Sequence, residues 1–206
     1  MINVTPQPKP FDFDRKVRDP GNRFLTTTPS PTSKQFKNKN FWRHASEDLH
    51  TAYSGICAYT CFHLVLTDKS VDHFLPKALH PDKAYEWDNY RLSLQLANQF
   101  KDNSIEVLDP FIVQTGWFTL EFPSCFVHPS VELVSPLLEK VRKTIDILKL
   151  NDHDDFVQKR CDLMVDFAEN TLSLEDLTKR YPFLAAEVIR QGIQSTANTI
   201  FKRKTI

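Results

Sequence analysis

Glycine is scarce: four residues in 206, none of them clustered. A glycine-rich phosphate loop is therefore excluded, and the GxSxG and HExxH patterns of hydrolases and zinc proteases are absent too. Cysteine is as scarce. Cys57, Cys61, Cys125 and Cys161 do not make a disulfide framework in a chain of this length, so a reducing, cytoplasmic compartment is expected. No apolar run approaches the roughly 18 residues that a membrane helix needs. The start, MINVTPQPKPFDFD, has neither a basic n-region nor an apolar h-region, so no secretory leader is expected. Excess charge is missing as well. The 26 basic and 26 acidic side chains cancel, which excludes a histone-like polycation but leaves nucleic-acid binding open.

What is present is unevenly placed. Residues 1–40 hold six of the thirteen prolines and a local charge of +5, so an extended basic arm with little regular structure is expected. Phe11, Phe13, Phe24, Leu25 and Phe36 give that arm apolar anchors. Residues 41–130 carry a charge of −5. Here a helix is expected over 41–53, short strands over 57–76 and 89–92, a helix over 92–102, and a hairpin around Gly116. Residues 131–206 balance twelve acids with twelve bases and read as helical: 131–150, with Pro136 a first-turn break, then 156–170, a short helix opened by Ser173, and a last helix over 183–204. The fold class expected is α+β, a small core beside a mostly helical body.

The chemistry concentrates between residues 71 and 101. Asp72 and His73 end a strand candidate just before Pro76. Neighbouring strand side chains point to opposite faces, so at a frayed end the two can straddle a substrate. In-line hydrolysis of a phosphodiester wants a base behind the attacking water and a cation beside the leaving oxygen. Neutral histidine is a competent base near pH 7. A carboxylate with an amide oxygen suits Mg²⁺ or Mn²⁺, which keep most of their waters. On the following helix Leu92, Leu96 and Phe100 form one stripe, and Asn98 faces away from it with Lys101 beside it.

The run Val71-Asp72-His73-Phe74-Leu75-Pro76-Lys77, then Tyr85-Glu86-Trp87-Asp88-Asn89-Tyr90-Arg91-Leu92, then Asn98-x-x-Lys101 resembles the HNH endonucleases, whose catalytic unit is the ββα-metal fold. The resemblance covers about Cys57 to Lys101, under a quarter of the chain. It implies that His73 is the general base and that Asn89, the second member of the catalytic set, holds the loop and the His73 backbone. It implies that Asp72 and Asn98 bind Mg²⁺ or Mn²⁺. Lys101, beside Asn98, and Arg91 are the expected contacts to substrate phosphate. The wording is similar to that of the HNH partner in bacterial Septu-type and retron-associated antiphage defence systems, where a separate ATPase accompanies the nuclease. Many HNH proteins also hold a structural zinc on two CxxC pairs. This chain has Cys57 and Cys61 with three residues between them, and Leu94 and Ala97 where the second pair would stand. Two thiolates cannot close a tetrahedral site, so the zinc is doubtful and buried thiols are favoured.

The expected activity is thus metal-dependent cleavage of DNA in preference to RNA, with a protein partner such as an ATPase and no membrane. The alternatives are a non-catalytic HNH-like interaction or scaffold protein and an RNA-directed HNH nuclease. Other chemistry-bearing residues have plainer readings. Trp87 and Tyr90 read as packing residues, His80 as a solvated loop residue and His63 as no part of a ligand set. Residues 151–155 (Asn-Asp-His-Asp-Asp) read as helix capping, and Lys202-Arg203-Lys204 as a complement to a helix C-terminus.

Overall fold

The computed structural model describes residues 1–201, so the Lys202-Arg203-Lys204 cluster lies outside the described residues. Helices and two short antiparallel hairpins give an α+β protein. The chain divides into two compact units, one of residues 5–59 with 64–105, the other of residues 1–4 and 60–63 with 106 onward. Among the described residues no helix is long and apolar enough to cross a membrane.

The first unit corrects the expectation of an unstructured arm. A π-helical segment, Asp14–Arg18, runs into α1 (Asp19–Thr27), and α2 (Ser33–Asn38) follows behind a Thr32 capping box. Proline density predicts extension, but Phe13, Val17 and Gly21 stand four residues apart and all three are buried, so one helical face is apolar enough to dock. Phe13 meets Trp87 and Tyr90 edge-on, with ring centroids 5.6 and 5.9 Å away. The Trp87 indole donates to Gln7 O, and the Tyr85 hydroxyl donates to Lys39 O, each at 2.8 Å. Phe11 remains fully exposed.

Gly21 is the tightest contact. A Cβ there would lie 2.1 Å from Tyr85 Cγ, so the helix can pass this ring only without a side chain. In a free helix Gly21→Ala would stabilise by about 1 kcal/mol. Here overpacking reverses the sign, and a loss of about 1–3 kcal/mol is expected, read as a lower urea midpoint at unchanged m-value.

The helix expected over 41–53 forms as a 3₁₀ segment, Phe41–Ala45, followed by α3 (Ser46–Ala52). Of the apolar stretch after it only β1 (Lys69–His73) is strand. It pairs antiparallel with β2 (Tyr90–Leu94), in a register that sets Asp72 opposite Arg91 and His73 opposite Tyr90. Helix α4 (Gln95–Lys101) leaves β2 directly, so Leu92 is strand rather than helix.

In the second unit the hairpin is β3 (Phe118–Glu121) with β4 (Phe126–Pro129). Its turn is at 122–125, not Gly116, which precedes the hairpin. Five helices follow: α5 (Leu137–Ile147), α6 (Asp154–Ala168), α7 (Leu174–Arg180), α8 (Pro182–Arg190) and α9 (Ala197–Ile200). The last two replace the single helix expected over 183–204, because Gly192 takes a left-handed φ of 66° between them. The hairpin belongs to the same compact unit as these helices.

A two-stranded hairpin cannot stand alone, and buried polar side chains of the helices hold this one. Glu187 accepts the Leu120 N–H at 2.8 Å, and Arg160 donates to Cys125 O at 2.7 Å. Asn151, expected to cap α6, instead bonds both backbone groups of Val127 at 2.8 Å. The capping position belongs to His153, which makes no side-chain cap.

Candidate active site

The hairpin β1–β2 and α4 bring the sequence-selected residues together, all within the first unit. Each is positioned by a short local rule. Asp72 and His73 are successive residues of β1 and so face opposite sides of the hairpin. Asn98 and Lys101 are one helical turn apart on α4 and share a face. That face lies along the side of β1 carrying Ser70 and Asp72. Asn98 Nδ2 donates to Ser70 Oγ at 3.1 Å, and Lys101 Nζ donates to Asp72 Oδ1 at 3.2 Å and to His73 O at 3.1 Å.

The loop between the strands is held by Asn89, which is buried. Its Oδ1 accepts the Leu75 N–H at 2.8 Å, and its Nδ2 donates to Leu75 O and Lys83 O, both at 3.0 Å. One amide thus ties the loop's beginning to its end. Ala84, next to Lys83, presents its carbonyl to His73 Nε2 at 2.9 Å. The same carbonyl accepts the Tyr90 hydroxyl at 2.9 Å. A carbonyl only accepts, so Nε2 of His73 carries the proton and Nδ1 keeps its lone pair. Trp42 and Tyr90 enclose the ring edge-on, with centroids 4.9 and 5.2 Å away. Burial, and then the Lys77 and Lys101 ammoniums, lower the His73 pKa to about 3, against the pull of the Ala84 bond. The imidazole is neutral across the physiological range.

Asp72 is more enclosed still. Its Oδ2 accepts the Tyr59 hydroxyl at 2.5 Å and its Oδ1 faces Lys101, with 2% of the residue exposed. Burial pushes this carboxyl above its ordinary value, while Lys101 and the Tyr59 bond pull it down. Lys101 is wholly buried, and its ammonium also lies 5.7 Å from the Phe74 ring centroid.

Two expected phosphate contacts have other tasks here. Arg91 is buried, donates to Asp88 O at 2.7 Å and Tyr90 O at 3.0 Å, and stacks over Phe74. Lys101 neutralises Asp72. Both side chains are buried, where a desolvated cation requires protein acceptors.

Asp72 and Asn98 carry the hard oxygen atoms that suit a divalent ion, but the Asp72 oxygens are already engaged by the Lys101 ammonium and the Tyr59 hydroxyl, so an ion held there would displace the ammonium. Among the described residues no three His, Cys, Asp or Glu side chains converge as a metal cluster. Cys57 and Cys61 are buried, and Cys57 Sγ accepts the Leu94 N–H at 3.2 Å. Trp87 and Tyr90 are buried packing residues, and His80 precedes the 3₁₀ turn Pro81–Lys83.

Tyr59 and Trp42 carry no signal of their own in the sequence and reach the site from segments before β1. Ser70 is missed although alternation along β1 puts it on the face of Asp72 and could have pointed to it. No protein-family model matches the chain, and no curated protein matches it.

Proposed function

We propose that this protein is a metal-dependent HNH-type endonuclease that hydrolyses DNA phosphodiester bonds. The observation that carries this reading is His73: a neutral imidazole with Nε2 fixed on the Ala84 carbonyl and the Nδ1 lone pair left as acceptor, on a hairpin–helix unit whose loop Asn89 staples. Nδ1 takes the proton of the attacking water, and the Ala84 carbonyl stabilises the imidazolium that forms. Asn89 holds Lys83, and through it the adjoining carbonyl, so the base does not rotate. Asp72 and Asn98 would hold Mg²⁺ or Mn²⁺, which when bound supplies charge for the scissile phosphate and its leaving 3′ oxygen. Hydrolysis this way leaves 5′-phosphate and 3′-hydroxyl ends. The resemblance of the 71–92 run to antiphage HNH nucleases extends the proposal to a bacterial defence complex with an ATPase partner.

A second reading, a non-catalytic HNH-like interaction module, is favoured by one observation. Asp72 and Lys101 already satisfy each other, and His73 is only 6% exposed. Plasmid nicking separates the two. The wild-type chain with Mn²⁺ or Mg²⁺ is expected to relax supercoiled DNA, and His73→Ala, folded by circular dichroism, to lose at least about 100-fold of the rate. Nicking that survives His73→Ala overturns the assignment of the base, and its absence in the wild type overturns the nuclease.

A further inference from the structure

A cavity of about 800 Å³ opens on the β1 side of the ββα unit. The segment Trp42–Asp48 forms one wall, and the start of β1 with α4 forms the other, with Asn98 and Ser70 between them. A second cavity, of about 500 Å³, shares Trp42 and Arg43 with the first and reaches Lys77 and Asp102. Trp42 and Arg43 thus stand between the two. The Trp42 ring that lines both also touches His73, at 4.9 Å between centroids.

The charges in this trough are unevenly satisfied. Arg43 is exposed, and among the described residues no carboxylate pairs with its guanidinium. Among the described residues Lys69 Nζ bonds the Leu66 carbonyl, at 3.1 Å, and no carboxylate. Lys77 Nζ lies 5.3 Å from the Trp42 centroid. Lys16 is tied to Asp12, and the acids in the trough are Glu47, Asp48 and Asp102. Cations without carboxylate partners, alternating with an aromatic ring along a concave path, are the composition that receives a sugar-phosphate strand. The first cavity, of about 800 Å³, has the room of a drug-sized ligand, which a few nucleotides of one strand can fill.

We infer that the trough over Trp42 and Arg43 binds single-stranded nucleic acid, with Arg43 and Lys69 on its phosphates. The inference rests on the nuclease reading only for its purpose, delivery of a phosphodiester to the Asn98 side of β1, beside the Trp42 ring that touches His73. Binding itself needs no cleavage.

The test uses the full chain in a chelator, with fluorescein-labelled oligothymidylate read by anisotropy across a salt series. The Arg43→Ala/Lys69→Ala double variant is expected to bind at least about ten-fold more weakly. The log–log salt slope should fall by about 1.4, near 0.7 for each phosphate lost. Lys140→Ala, on exposed α5, should leave both unchanged. Unchanged affinity of the double variant, or equal affinity of the wild type for the matching duplex, overturns the inference. Plasmid nicking is scored separately. Weakened oligothymidylate binding without any nicking retains the trough and rejects the nuclease, whereas nicking with unaltered oligothymidylate binding does the opposite.

Discussion

Lys101→Met is expected to destabilise the protein by about 3–5 kcal/mol, even though methionine fills nearly the same volume. The reason is the partner left behind. Asp72 is 2% exposed, and among the described residues Lys101 is the cation whose nitrogen contacts its carboxylate, at 3.2 Å. Tyr59 remains on Oδ2, but a hydroxyl only partly offsets a buried charge. Without the ammonium the carboxyl rises further above its ordinary value, and the native state takes up a proton. The sign follows. A group whose folded pKa lies above its unfolded value contributes stability below the unfolded pKa and loses it as pH rises. The gap between wild type and Lys101→Met should therefore widen from pH 4 upward, measured by urea denaturation in chelator. Adding Asp72→Asn to the variant should recover a substantial part of the loss, because no buried charge is then unpaired. A Lys101→Met protein as stable as the wild type at pH 7 would mean that the ion pair does not carry the strand–helix seam.

The same pair marks how far the sequence could be read. Asp72, His73, Asn89, Asn98 and Lys101 are legible as a group because strand alternation and helical spacing are local rules, and α4 follows β2 with no residue between. Which groups touch is not local. Lys101 and Arg91 read as phosphate ligands because free cations usually face solvent, yet Phe74 and the hairpin bury both. The chain before residue 41 reads as an arm because proline and charge dominate its composition. The apolar face of Phe13, Val17 and Gly21 becomes visible only when a surface exists to receive it, and Tyr85, Trp87 and Tyr90 provide that surface more than 60 residues later. The hairpin of the second unit shows the same limit. Gly116 carries the strongest turn signal, but the pairing begins only at Phe118, where side chains of α6 and α8 can satisfy the strand backbone.

Stability should also fall steeply on acidification, with His73 a principal cause. In the unfolded chain this residue titrates near 6.5, whereas in the native state burial and the Lys77 and Lys101 charges hold it at about 3. Between those values the unfolded state binds a proton that the native state refuses. Stability therefore rises with pH from about 3 to 6.5 and is level above. The full span corresponds to about 5 kcal/mol. Other groups titrate in the same window, so the informative quantity is the difference from a variant. His73→Gln keeps an N–H for the Ala84 carbonyl but has no proton to accept, so its stability should vary less with pH by that amount. Urea midpoints of the two proteins in chelator, taken from pH 4 to 8, give the measurement. Parallel curves would place the native His73 titration near its unfolded value, as only a solvent-reachable ring would have it. Converging curves at low pH would establish that the native imidazole is enclosed and neutral.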